Sequence, residues 1–248
     1  PRETVDYTDA LDDTDLSGLK VGVVAEGFGL SSSQEDVDVA VRHAAGLLSE
    51  LGAEVTEMTI PLQASAGAVT FGSIQAITTS MFGHDGAILE RPDLVPPSFV
   101  EKQRGWRERA DELPANVKTA LISSEVMRRR AGYRYVAQAA LGVRLLREAY
   151  DRALAKVDVL VMPTTPMKAT KLPEEGASAA EVMGLAFEPL ANTSAFNHTH
   201  HPALSLPCGI SGGLPIGMML VGRFFEEKLL YKVAHGFEKT YNWQDLQS

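Results

Sequence analysis

A short apolar run, a helical period and a second β-rich run, all within residues 20–60, restrict the fold of this chain more than any other feature. Lys20-Val21-Gly22-Val23-Val24-Ala25 is too short for a helix and reads as a buried strand. Ser33 and Asp36 stand at capping-box spacing, with oxygens able to accept from the free amides of a first helical turn, so a helix is expected to start at Ser33. Val37, Val41, Ala44, Leu48 and Leu51 recur at three- and four-residue steps and form one apolar face. Gly52 can take the left-handed conformation that ends a helix. Residues 55–60 form a second strand that Pro61 stops. Strand, helix and strand in this order favour parallel pairing through a right-handed crossover, which predicts an α/β fold.

The next stretch changes character. Residues 62–155 carry alanine, leucine and arginine at helical spacing, broken at Pro92, Pro96, Pro97 and Pro114, and predict helices joined by turns. The longest is expected over residues 135–155, with Leu141, Leu145, Ala149 and Leu154 as its apolar stripe. Arg128-Arg129-Arg130 reads as a solvated or ion-paired helix face. Sheet signal returns at residues 157–162 and stops at Pro163-Thr164-Thr165-Pro166, a turn at a strand's carboxyl end that reads equally as a plain loop or as the ligand crevice that open α/β sheets place there. A helix over residues 179–190 follows. Residues 203–207 and 216–221, around Ser211-Gly212-Gly213, have the pattern of a hairpin. A closing amphipathic helix is expected over residues 226–240, with Leu229, Leu230, Val233 and Phe237 inward.

Composition narrows the function. Among 248 residues, 23 lysines and arginines stand against 32 acids, a formal charge of −9 that works against binding a polyanion, so no nucleic-acid partner is expected. Hydrophobic residues at 45% and charged residues at 22% suit a folded chain with a substantial core. The single cysteine, Cys208, permits neither an internal disulfide nor a multi-cysteine metal site. With no membrane-length apolar run and no signal peptide, the expectation is a cytoplasmic protein with no membrane partner. The chain opens Pro1-Arg2-Glu3-Thr4 without an initiator methionine, which reads as the continuation of a longer polypeptide, although processing would look the same.

Several groups of residues invite a chemical reading. Gly27 and Gly29 follow the first strand, but the third glycine of a dinucleotide fingerprint is absent and turn geometry suffices to explain them. His198, His200 and His201 cluster, yet no carboxylate or cysteine stands at a ligand interval before Cys208, so a polar loop beside a pocket is favoured and no metal or other cofactor is expected. Gly209-Ile210-Ser211-Gly212 falls at a hairpin turn rather than a nucleophile elbow. Cys208 follows Pro207 at a strand end with no neighbouring base. Neither reads as a nucleophile.

Taken in order, the segments resemble the carboxyl-terminal half of the amidase signature family. The residues that carry the resemblance are Asp158-Val159-Leu160-Val161-Met162-Pro163-Thr164-Thr165-Pro166, then Ala191-Asn192-Thr193 with Phe196, then His201-Pro202-Ala203-Leu204-Ser205-Leu206-Pro207-Cys208-Gly209, Gly213-Leu214-Pro215-Ile216-Gly217-Met218 and Val221-Gly222. Leu19-Lys20-Val21-Gly22-Val23-Val24 and the long helical stretch are similar to the family's middle section, particularly in bacterial enantioselective and nitrile-pathway amidases.

The resemblance implies an amidase-signature fold, a mixed β-sheet flanked by helices, of which residues 1–248 form the carboxyl-terminal portion of one domain. Its sections would be the strand-helix-strand unit at 20–60, the helices at 62–155, and the sheet completion, pocket loop and closing helix at 157–240. It also implies amide hydrolysis by a serine, a second serine in a cis linkage and a lysine. A buried neutral lysine can take the nucleophile's proton through the bridging serine, while loop amides stabilise the oxyanion. The substrate would be a carboxamide, with esters, anilides and carbamates sharing the same attacked carbonyl. The family's Gly-Gly-Ser-Ser-Gly-Gly-type stretch has no counterpart here, since Ser31-Ser32-Ser33 lacks flanking glycine pairs. The implied catalytic triad is therefore expected on a partner, the amino-terminal half of the same amidase, and this chain is expected to be inactive alone. A homodimer is compatible with this arrangement.

By the same resemblance, Leu190, Asn192, Thr193 and Phe196 face the acyl part of the substrate, with Thr164 near them and Thr70 and Phe71 on the opposite wall. His200 stands where many relatives have glycine, so it is either strained by a positive φ or turned into the pocket. Each residue has a plainer reading: Leu190 and Phe196 as core, Asn192 as a helix or turn cap. The competing function is a non-catalytic α/β module that binds a small molecule at its strand-end loops.

Overall fold

The computed structural model describes residues 6–11, 13–86 and 92–246, so Pro1-Arg2-Glu3-Thr4 lies outside them. In chain order the principal elements are β1 (Lys20–Val24), α1 (Glu35–Glu50), β2 (Glu54–Met58), α2 (Ala66–Gly83), α3 (Pro97–Gln103), α4 (Ala115–Ala131) and α5 (Arg134–Leu154). They continue with β3 (Val159–Pro163), α6 (Ala179–Phe187), α7 (Ser194–Thr199), β4 (Ala203–Ser211), β5 (Leu214–Val221) and α8 (Glu227–Thr240). The chain divides into two compact units. One comprises residues 1–66, 144–171 and 187–248, the other residues 67–143 and 172–186.

The first unit holds a five-stranded mixed sheet in the order β2-β1-β3-β5-β4. β1 runs parallel to β2 and β3, with Val21 opposite Val55 and Val159, and β5 runs antiparallel to β3 and β4. β3 is buried along its whole length and β1 from Val21 onward, which is why both read as unbroken apolar runs; edge strand β2 is largely exposed. Pro207 is tolerated because β4 is the other edge, and the register shifts between Pro207 and Gly209, leaving Cys208 at an irregularity. Gly212 and Gly213 join β4 to β5 with φ of 58° and 78°, both positive as a two-residue type I′ hairpin turn requires.

α1 buries Val37, Val41, Ala44 and Leu48 as expected, and Gly52 beyond it has φ 99°. Its start differs from the sequence reading. The N-cap is Gln34, with no side-chain capping bond of its own; the Ser33 hydroxyl accepts from the Leu30 amide, whereas Asp36 Oδ1 accepts from the first-turn Val37 amide as expected and its Oδ2 is taken by Lys168 and Ser211. α8 buries Leu230, Val233 and Phe237 and leaves Leu229 half-buried.

In the second unit, α2 and the first half of α5 approach closely through glycine. A Cβ at Gly142 would lie 2.6 Å from Val69 Cγ2, and one at Gly72 3.0 Å from the Ala139 Cβ. The buried stripe of α5 is displaced from the expected one. Leu154 is buried as expected, but Leu141 and Leu145 are exposed and Ala149 is half-buried, whereas Tyr135, Ala139, Leu146, Tyr150 and Ala153 are buried. On α4, Arg128 and Arg129 both pair with Glu125, in keeping with an ion-paired face. No helix among the described residues is long and apolar enough to cross a membrane.

Candidate functional site

Because β1 and β3 are parallel, their carboxyl ends lie on the same edge of the sheet. β1 leads into a tight turn over Ala25–Gly27, and Gly27 is pressed so closely on β3 that a Cβ there would sit 2.6 Å from the Met162 Cβ. Asn192 ties these ends together. Its amide nitrogen donates to the Gly27 and Pro163 carbonyls, each at 2.9 Å, and its oxygen accepts from Gln63 Nε2 at 3.5 Å. Gln63 accepts in turn from the Tyr150 hydroxyl. Asn192, Gln63 and Tyr150 are all buried, and burial raises the Tyr150 phenol above its ordinary pKa, with Glu26 adding to the effect, so it serves as a neutral donor. Glu26 at the same edge accepts from the Ile60 amide at 2.8 Å. A buried polar chain thus fixes the loops beyond β1, β2 and β3 to one another.

The expected site residues distribute unevenly around this edge. Phe196 on α7 is buried with its ring 4.8 Å from that of Tyr150. Thr193 precedes α7 half-buried, and Leu190 is partly exposed. Thr164, just past β3, shares a 2.6 Å hydrogen bond with the Ser205 hydroxyl on β4. His200 closes α7 in the left-handed region at φ 65°, exposed, its amide donating to the Phe196 carbonyl. The strain foreseen for a non-glycine residue at this position is therefore present. Thr70 and Phe71 belong to the second compact unit, Thr70 buried with its hydroxyl unpaired among the described residues and Phe71 exposed.

The three histidines do not converge. His201 turns inward, Nε2 on Asp151 at 3.1 Å and Nδ1 on the Thr199 hydroxyl at 3.0 Å, with its ring 4.6 Å from Phe224. Burial lowers its pKa, outweighing the opposing pull of Asp151. His198 is lowered too, first by burial and then by His200. Among the described residues no three histidine, cysteine or acidic side chains are grouped to hold a metal ion.

Ser211 and Cys208 behave as their local sequence suggested. The Ser211 hydroxyl donates to Asp36 at 2.6 Å, and Asp36 also pairs with Lys168, so this serine faces an ion pair rather than a free base. Cys208 is buried and its thiol is pushed up to about 12 by desolvation, which removes the thiolate a nucleophile needs. Gln63 and Tyr150 carried no local signal, for their partnership spans 87 residues of sequence.

The model of the family described as Amidase matches residues 1–231. An enantioselective amidase of Rhodococcus rhodochrous is 35% identical over 242 residues, covering 95% of this chain and 46% of the relative. A glutamyl-tRNA(Gln) amidotransferase subunit of Microcystis aeruginosa is 36% identical over 256 residues, covering 98% of this chain and 49% of the relative. The crystal structure of a bacterial aryl acylamidase superposes with a TM-score of 0.75 at 20% identity, over 98% of this chain and 47% of that one. The chain spans about half the length of the curated relatives it matches.

Proposed function

The chain belongs to the amidase signature family, and from that premise we propose that it forms the sheet and one substrate-pocket wall of an amide-bond hydrolase. The reactive serine, the bridging serine and the lysine would come from the amino-terminal half of the same amidase, as the missing glycine- and serine-rich stretch suggests. In this reading the lysine accepts the nucleophile's proton through the bridging serine, and loop amides hold the oxyanion. The substrate is a carboxamide, a class supported by the name of the Rhodococcus relative, with anilides supported by the aryl acylamidase.

The observation that carries this assignment to the strand ends is the Asn192 amide bridging the Gly27 and Pro163 carbonyls. With both donors spent on backbone, Asn192 acts as a positioning residue that fixes the edge against which substrate lies. Leu190, Thr193, Phe196, Thr164 and His200 contribute the wall beside it. Co-expression with the amino-terminal half, followed by assay on a panel of carboxamides and anilides, tests the proposal. Hydrolysis should appear in the complex and be absent from the isolated chain. A folded complex inert across the panel, or turnover by the chain alone, would overturn it.

A further inference from the structure

The helical unit contains a cavity of about 670 Å³ that the proposed hydrolysis does not use. We propose that this cavity is a binding site for a small aromatic monocarboxylate. One side is aromatic: Phe82 and Trp106 meet edge to face with centroids 4.9 Å apart, and the indole nitrogen donates to the Phe82 carbonyl at 3.1 Å, which fixes the wall. The exposed ring of Tyr133 also lines it.

Three guanidiniums also line the cavity, among apolar and hydroxyl side chains such as Leu121, Ile122 and Thr78. Of the three guanidiniums there, Arg128 and Arg129 pair with Glu125 and Arg107 with Asp85 at 3.5 Å, which leaves a net positive charge on a chain of formal charge −9. Arg107 lies 4.7 Å over the Trp106 ring. Arg128 gives Glu125 both Nε and Nη2 at 2.8 Å, but Arg129 gives it Nε alone at 2.6 Å, leaving the two terminal nitrogens of Arg129 to donate elsewhere. The paired guanidiniums hold Glu125 at a pKa of about 2, so it stays charged.

Positive charge beside aromatic surface selects an anion that carries a ring. The planar carboxylate fits the guanidinium fork, and the ring packs against indole and phenyl. With Glu125 and Asp85 set against the three guanidiniums, one net positive charge remains, which suits a guest with a single negative charge. The volume falls within the few hundred to about 1,000 Å³ usual for small-molecule sites.

Calorimetric titration of the full protein with phenylacetate at low ionic strength tests this without reference to turnover. Phenylacetate should bind, with phenylacetamide and inorganic phosphate each about tenfold weaker or silent, since one lacks the charge and the other the ring. Arg129→Gln should weaken phenylacetate by about tenfold. Glu125→Gln should tighten it several-fold, a gain that a misfolded variant cannot mimic. No binding heat, equal binding of phenylacetamide or phosphate, or affinity unmoved by both substitutions would overturn the proposal.

Discussion

Replacing Asn192 by alanine removes the bridge between the ends of β1 and β3, and its cost follows from the geometry. Two hydrogen bonds of 2.9 Å to buried carbonyls are lost, and the 3.5 Å contact from Gln63 goes with them. A buried acceptor left without its partner costs about 1–3 kcal/mol, so the pair sets an expected loss of about 3 kcal/mol. For a chain of this size that lowers the melting temperature by about 6–12 °C. Differential scanning calorimetry of parent and variant reads the shift directly. Asn192→Asp sharpens the test, since a carboxylate cannot donate and would place negative charge against two carbonyl oxygens. That variant should be least stable at neutral pH and recover as pH falls, because its carboxyl is favoured neutral in the folded state. Were Asn192→Ala to melt within about 1 °C of the parent, the carbonyls would have other partners and the bridging role would be refuted.

Other expectations are narrower. His201 is buried with a pKa below its unfolded value, so the unfolded chain takes up the proton first and stability should fall as pH drops below about 6.5, by at most about 1.4 kcal/mol per pH unit; His201→Gln should flatten that slope in melts at pH 7.5 and 5.5. Gly142→Ala places a methyl 2.6 Å from stiff Val69, and overpacking of about 1–3 kcal/mol should outweigh the helix-propensity gain of about 1 kcal/mol; adding Val69→Ala should restore much of the denaturation midpoint. Cys208, the single thiol, should resist an aromatic disulfide reagent in the native protein and react fully once denatured, as counted by released chromophore.

Local patterns carried the parts of the fold whose causes are local. The β1-α1-β2 succession, the Gly212-Gly213 hairpin and the left-handed Gly52 could be read because period and glycine chemistry act within a few residues. Of the capping pair, Asp36 accepts the Val37 amide as read, but Ser33 is taken by the Leu30 amide of the preceding turn, and the second oxygen of Asp36 by groups 132 and 175 residues away. The stripe on α5 was displaced for a similar reason. Its leucines offer two neighbouring registers, and tertiary packing buries Tyr150, whose hydroxyl is satisfied by distant Gln63. At the candidate site the motif around Asn192 was legible as a family resemblance. Its role was not, because a local reading offers a cap, whereas the carbonyls it binds lie 165 and 29 residues away. The strain at His200 could be anticipated, since only backbone conformation is at issue there.

The proposed division of labour between this chain and an amino-terminal half is tested most directly by covalent trapping. The active complex would be treated with a serine-reactive fluorophosphonate until hydrolysis stops, then digested, and the modified peptide located by mass spectrometry. The adduct should fall on a serine of the amino-terminal half, with Ser194, Ser205 and Ser211 of this chain unmodified. A stoichiometric adduct on any serine among these 248 residues would contradict the account.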